Sequence, residues 1–329
     1  MKSICYLVPY FGKLPQSTPM WLLSCKLNPT VNWLIMTDDK TEYDYPENVK
    51  VIYCTFEEIT QRIREHFDFE VMIDKPWRLC VFRPCYGEVF KKELEGYDFW
   101  GHCDMDLIWG DIRKYLTDEV LEKYDKIGFQ GHSTLYRNTP ENNARYKNNF
   151  DGVFNYRDAF SGKVKCCFDE GAMCNIYENL GVEYFHEVNF AHLSVWANSF
   201  FVDKLPQEDN YKNKHQVFVW DQGHLYRVYA HDGALHKDEF MYVHTFMRPV
   251  DYRIDRYDEN ELYVLYPDVV RRLKREALTY RFVMRKGHCT AVHYYTKLAY
   301  ANRHKLTPEK VWKNFKKKVE IVAGGRFKQ

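Results

Sequence analysis

At 329 residues, 45% of them hydrophobic, the chain has room for one large α/β domain plus an extension, or for two domains, and ample material for a core. The formal net charge of +1 hides an asymmetry: residues 271–329 carry 17 Lys/Arg against three acids, or +14, while residues 1–270 carry 30 Lys/Arg against 43 Asp/Glu, or −13. Ten scattered cysteines with no Cys-x-x-Cys show no cysteine zinc framework and argue against a disulfide scaffold, and no apolar run approaches the length of a membrane span.

Ser3 to Val8 reads as a short buried strand that Pro9-Tyr10-Phe11-Gly12 ends as a loop. In open α/β sheets a loop at the carboxyl end of the first strand is where nucleotides bind. Strand-like residues follow Lys2 at once, with no cleavage site, so the expectation is a cytoplasmic protein without a signal peptide and with reduced thiols. Residues 21–27 form the predicted crossover helix. A second strand over 32–36 ends in Thr37-Asp38-Asp39, and a third covers 49–53.

Thr55, with Glu58 three residues on, forms a capping box. Phe56, Ile59, Ile63 and Phe67 follow at helical spacing. Strands alternating with helices in the first 70 residues predict α/β with a mostly parallel sheet flanked by helices. Neither Gly-x-Gly-x-x-Gly nor Gly-x-x-x-x-Gly-Lys-Ser/Thr occurs, so a dinucleotide enzyme or a P-loop NTPase is unsupported. Residues 75–94 are helix-prone but interrupted at Arg83-Pro84.

The next stretch, Tyr97 to Asp111, begins apolar and aromatic and then places Asp104 and Asp106 two residues apart. In an extended segment residues i and i+2 point the same way, so both carboxylates would face one cavity at a strand end. Two hard oxygen ligands there suit Mg²⁺ or Mn²⁺ carrying a phosphorylated substrate. Thr117 caps a short predicted helix, and residues 127–132 read as a strand and turn. Residues 138–165 read as polar loop, and a helix is expected from Ala172 to Leu180. The signals over 182–232 are mixed, and a strand over 239–246 delivers His244.

These pieces, in order, resemble the GT-A-fold glycosyltransferases, most closely bacterial enzymes of capsule and lipopolysaccharide synthesis. The set is Tyr10 after the first strand, Thr37-Asp38-Asp39 after the second, Arg83-Pro84-Cys85-Tyr86-Gly87, then Asp104-Met105-Asp106 and a late Tyr242-Val243-His244. The resemblance spans about residues 3–250. It implies a nucleotide-sugar donor, a UDP-sugar above all, with a Mn²⁺ or Mg²⁺ cofactor, and a glycan or lipid-linked acceptor. Asp106 would bind the ion directly, Asp104 the ion or the ribose together with Met105, and His244 would be the distant third ligand. Pro9, Tyr10 and Phe11 would border the base, with Asp38 or Asp39 at its edge. Arg78 and Arg83 would contact the diphosphate. Asp169 and Glu170 would supply the general base of an inverting mechanism, with His132, Arg137 and Asn138 along the acceptor cleft. Similar enzymes often pair the basic residue at Arg78 with an Asp three positions on; here that position is Val81, a departure that bears on the donor sugar. The implied division is a catalytic domain over 1–262, with a nucleotide-sugar half over 1–112 and an acceptor half over 113–262. A basic helical extension over 263–329 follows.

In that extension Val311, Trp312, Phe315 and Val319 share a face of a helix whose other faces carry five lysines. Such a helix suits an anionic inner-membrane surface, which would make the enzyme peripheral there; docking on the acidic body is the competing account. No pattern supports nucleic acid binding. A sugar nucleotidyltransferase would also use paired aspartates, but it normally shows a Gly-rich basic loop after the first strand, where Pro9 to Pro15 has one Gly. A non-catalytic adaptor that uses the basic tail would have no need of Asp104, Asp106 and His244 together.

Overall fold

The computed structural model describes residues 1–193, 200, 202–203, 215–246, 248–287 and 312. The helix expected near residues 308–319 lies outside them except for Trp312, which is helical and exposed.

The main sheet contains β1 (Ile4–Pro9), β2 (Val31–Thr37), β3 (Val49–Tyr53) and β4 (Phe99–Cys103), with β6 (Lys126–Gln130) and β7 (Ser133–Arg137). A short β5 (Leu107–Trp109) follows β4 in the chain but pairs elsewhere. The order is β3-β2-β1-β4-β7-β6, and β7 runs opposite to the other five strands. This is the predicted α/β architecture, Rossmann-like, with a mostly parallel sheet and helices around it.

β1 is apolar along its whole length because both of its faces are covered. Cys5 and Leu7 point into a core built with Ile63, Phe82, Tyr86, Trp100 and Phe160, whereas Ile4, Tyr6 and Val8 join Trp21, Trp33, Trp109 and Tyr242 on the other side. α1 (Thr18–Lys26) crosses from β1 to β2 and contributes Trp21, which has no exposed surface. α2 (Phe56–Glu65) begins on the predicted capping box: Thr55 Oγ1 accepts from the Glu58 N–H and the Glu58 carboxylate accepts from the Thr55 N–H. The interruption at Arg83-Pro84 resolves as a chain of short helical turns from Pro76 to Val89.

The C-terminal third departs from expectation. β8 (Phe190–Leu193), β9 (Val202–Asp203) and β13 (Tyr242–His244) join β5 in a small sheet of order β5-β13-β8-β9. A third sheet holds β10 (Gln216–Asp221), β11 (His224–His231), β12 (Ala234–Phe240), β14 (Asp251–Arg253), β15 (Leu262–Tyr266) and β16 (Val269–Leu273), in the order β12-β11-β10-β15-β16-β14. Two tight hairpins build it. Gln222-Gly223 and Asp232-Gly233 all have positive φ, the twist that two-residue hairpin loops require.

Two expectations are corrected here. The division at residue 262/263 falls inside the third sheet, since β15 pairs with β10 and β16 with β15, so the segment after 262 begins as strands. Its described helical parts are a 3-10 turn at Arg275–Ala277, the helix Tyr280–Lys286 capped by Thr279, and Trp312. The strand expected over 239–246 is instead two strands. The chain leaves β11 at Phe240, bonds through the Met241 N–H to the Asn189 carbonyl at 2.8 Å, and then pairs with β5.

Candidate functional site

The site sits where β4 ends. The Asp104 N–H donates to the His132 carbonyl at 3.0 Å, after which Asp104-Met105-Asp106 turns the chain into β5. The turn is held from both sides. Ser17 Oγ, at the start of α1, donates to the Met105 carbonyl at 2.8 Å, and Thr245 donates to the Asp106 carbonyl through its N–H at 3.1 Å and its hydroxyl at 3.0 Å. Met105 is buried as the hydrophobic anchor of the turn.

Pinned this way, the two carboxylates at either end of the turn face the same imidazole. His244 Nε2 lies 3.2 Å from Asp106 Oδ1 and 3.7 Å from Asp104 Oδ2. The His244 side chain is 5% exposed, against 30% and 40% for the two aspartates, so the acids form the open rim and the histidine the floor. Burial pushes the Asp106 carboxyl up, but its hydrogen bond to His244 and the charge there outweigh burial, and its pKa is lowered overall.

Behind Asp104 stands Arg83. Its guanidinium pairs with Asp104 Oδ1, donates to the Gly131 carbonyl at 2.6 Å and reaches Asp169 Oδ2 at 3.1 Å. Burial works against this cation, yet the charges of Asp104 and Asp169 hold its pKa well above the usual value. Asp169 is 3% exposed. Burial raises its pKa from 3.8 to about 6, opposed by Arg83 and reinforced by the neighbouring Glu170. Glu170 accepts from the Gly131 N–H at 2.9 Å. Gly131 is needed for this crowding, since a Cβ there would lie 2.7 Å from Asp169 Oδ2, 2.9 Å from Glu170 Oε1 and 3.3 Å from Arg83 Nη1.

The donor-side residues fall at the carboxyl ends of β1 and β2. Asp38 Oδ1 accepts from the Gly12 N–H at 2.7 Å and Asp39 Oδ2 from the Leu14 N–H at 2.8 Å, so this acidic pair holds the loop after β1. Thr37 is buried and its hydroxyl accepts from the Asp39 N–H at 3.1 Å. Pro9 ends β1, and the Tyr10 N–H bonds the Met36 carbonyl at 2.8 Å. Tyr10 is half-buried, and burial, then the charge of Asp106, raise its pKa. Phe11 turns the other way, into the core against Phe56.

Arg78 is not gathered into this cluster. It is buried, donates from Nε to the Met72 carbonyl at 3.0 Å and sits 3.9 Å from Asp74, so it braces the 70s loop. Arg137 and Asn138 likewise do structural work. Arg137 ties Asp125 to the end of the 118–123 helix, and Asn138 caps the Leu94 and Tyr97 carbonyls.

His132 does belong to the site, together with His192, which the sequence reading missed. Parallel pairing of β13 with β8 sets His244 opposite His192, their Nδ1 atoms 3.1 Å apart. The ring of His132 lies 4.4 Å from that of His244. Burial, then the charges of His244, His192 and Arg83, hold the His132 pKa well below the usual histidine value. A signal for His192 did exist: Phe190-Ala191-His192 repeats the aromatic-x-His pattern of Tyr242-Val243-His244, and the two aromatic rings stack at 5.3 Å with 8° between planes.

A divalent cation fits the donor set at the rim. Asp104, Asp106 and His244 each offer a ligand atom within 4.8 Å of the others. Beside it Arg83 pairs with Asp104 and Asp169, and Glu170 accepts from the Gly131 N–H. Oxygen donors with one imidazole suit Mn²⁺ or Mg²⁺, the nitrogen favouring Mn²⁺.

A family model matches residues 6–274, and the chain belongs to that family, DUF6625, a family of unknown function. No curated protein matches it. Among solved structures, that of the glycosyltransferase GlyE in Streptococcus pneumoniae TIGR4 is similar over 57% of this chain and 45% of that one, with 10% identity and a TM-score of 0.31. The likeness thus spans less than half of that protein, and it is too distant to bear on activity or substrate. Among the described residues no helix is long and apolar enough to cross a membrane.

Proposed function

We propose that this chain is a metal-dependent glycosyltransferase that moves a sugar from a nucleotide-sugar donor, a UDP-sugar, to a glycan or lipid-linked glycan acceptor of the cell surface. One observation carries the reading: Asp104, Asp106 and His244, brought from two distant segments, present their ligand atoms to one point at the carboxyl edge of a mostly parallel sheet. When bound, Mn²⁺ or Mg²⁺ supplies Lewis acidity that offsets the charge developing on a leaving diphosphate.

The chain's own residues do the rest. Asp106 and His244 hold the ion, and Asp104 divides its carboxylate between that point and Arg83. Arg83 positions Asp104; its own guanidinium is engaged by Asp104, Gly131 and Asp169. Asp169, buried behind Arg83, acts through it. Glu170, only partly buried and accepting from the Gly131 N–H, is the carboxylate assigned as general base for the acceptor hydroxyl. Tyr10, in the loop at the carboxyl end of β1, offers a ring face for the donor base, with Asp38 and Asp39 fixing that loop.

The test is release of UDP, or of another nucleoside diphosphate, across a panel of nucleotide sugars with Mn²⁺ and with chelator. Mn²⁺-dependent release from at least one donor supports the reading. No release from any donor, with the protein folded and loaded with Mn²⁺, contradicts it.

A further inference from the structure

Three imidazoles close on one point on the inner side of the aspartate rim. His132 comes from the turn between β6 and β7, His192 from β8 and His244 from β13. Their ring centroids lie 4.4 Å apart for His132 and His244, 4.8 Å for His192 and His244, and 5.1 Å for His132 and His192. One nitrogen from each lies within 4.8 Å of the other two.

His132 is 3% exposed, and its two nitrogens are in different situations. Nδ1 lies 2.9 Å from the Tyr242 hydroxyl, whereas Nε2 is buried with no hydrogen-bond partner among the described residues. A buried nitrogen without a partner costs roughly 1–3 kcal/mol, so the fold holds it there against a penalty unless something binds it.

We propose that His132, His192 and His244 form a second cation site, for a divalent transition metal of the Zn²⁺ class, distinct from the oxygen-rich rim. Three neutral imidazoles with a fourth position left for water or another ligand are a donor set for Zn²⁺, and nitrogen sites bind Zn²⁺ more tightly than Mn²⁺. The outer partners are those that imidazole ligands use. His132 ligates through Nε2 while its Nδ1–H donates to Tyr242. His244 ligates through Nδ1 while its Nε2–H donates to Asp106 Oδ1, 3.2 Å away.

The two sites share His244 but use opposite nitrogens. A neutral imidazole has one lone pair, so His244 serves one site at a time. Zinc in the histidine site therefore withdraws His244 from the aspartate rim and opposes Mn²⁺ there. The histidine site itself does not depend on the nucleotide-sugar reading; only the antagonism rests on it.

The experiment uses the full chain after chelation, with Co²⁺ alone as the spectroscopic stand-in for Zn²⁺. One equivalent of Co²⁺ should give the visible band of a low-coordinate nitrogen site, and one equivalent of Zn²⁺ should erase it. His192→Gln and His132→Gln should each weaken Co²⁺ binding by at least about 10-fold, as the loss of even an outer partner does. Asp104→Asn should keep the band, which separates this site from the rim: loss of Mn²⁺ binding in Asp104→Asn with the Co²⁺ band intact tests the rim alone. His192 is less buried than His132, so His192→Gln decides the matter if His132→Gln does not fold. Identical Co²⁺ and Zn²⁺ titrations in wild type and His192→Gln overturn the proposal, as does loss of the band in Asp104→Asn.

Discussion

Asp169 is the carboxylate whose burial has the most measurable consequence. Its folded-state pKa is raised from 3.8 to about 6, about two units, and each unit corresponds to about 1.36 kcal/mol, for a total of about 3 kcal/mol. Because the folded pKa lies above the unfolded one, the fold favours the protonated acid. Stability from this group is greatest below about pH 4, declines as pH rises through about 6, and stays reduced above it. Asp169→Asn removes the ionisation and keeps an acceptor oxygen for Arg83. Between about pH 4 and about pH 7.5 the variant should therefore gain about 3 kcal/mol relative to wild type. At about 2.1 cal/mol/K per residue over 329 residues, unfolding entropy is about 0.7 kcal/mol/K, so the melting-temperature difference should change by about 4 °C across that window. The assay is a thermal melt by circular dichroism, with chelator present at every pH, on both proteins. A difference that is flat with pH would mean that Arg83 fully offsets the burial of Asp169, and the reasoning would fail.

Other expectations follow from the same geometry. Asp106→Ala should lower Mn²⁺-dependent transfer by about 10³-fold or more while the far-ultraviolet spectrum stays unchanged, since several kcal/mol of charge stabilisation depend on that oxygen. Full activity of the folded variant in chelator would refute a role for the ion. His244→Ala should weaken Mn²⁺ binding about 10- to 100-fold in a titration followed by electron paramagnetic resonance; an unchanged titration would leave His244 as a core residue. Gly131→Ala forces a Cβ against Asp169, Glu170 and Arg83, and should destabilise by about 1–3 kcal/mol in urea unfolding; an unchanged midpoint would mean that these side chains yield freely. For the basic tail, truncation before Pro308 should reduce sedimentation with anionic liposomes in a salt-sensitive way, each basic residue near the surface contributing about 1 kcal/mol. Equal sedimentation by the truncated and complete chains would rule out this tail segment as the anchor.

Strong local signals proved the most legible. The capping box at Thr55, the cap at Thr117 and the apolar run of β1 lie in the structure where their chemistry requires. Asp104 and Asp106 share a side, as alternation predicted, but through a turn held by Ser17 and Thr245 rather than an extended segment. What joins them to His244 is not local: it depends on β13 pairing with β5, across more than a hundred residues of chain. Arg83 could be singled out, but its grip on Asp104 and Asp169 arises only when the 83–85 turn, β4 and the 168–172 turn pack together. Arg78, equally basic and only five residues earlier, faces the 70s loop instead. The third sheet was readable in principle. Asp232-Gly233 lies between alternating runs and is a strong hairpin signal, yet Gln222-Gly223 is a weaker one, and the two together were needed to order β10, β11 and β12.

The most direct test of the central claim is calorimetric titration of UDP into the chelated protein and into the Mn²⁺-loaded protein, for wild type and for Asp106→Ala. The account predicts UDP binding by wild type with Mn²⁺ that weakens sharply under chelation, and no Mn²⁺-dependent gain in Asp106→Ala. UDP binding of equal strength in all four titrations, or none by Mn²⁺-loaded wild type, would contradict it.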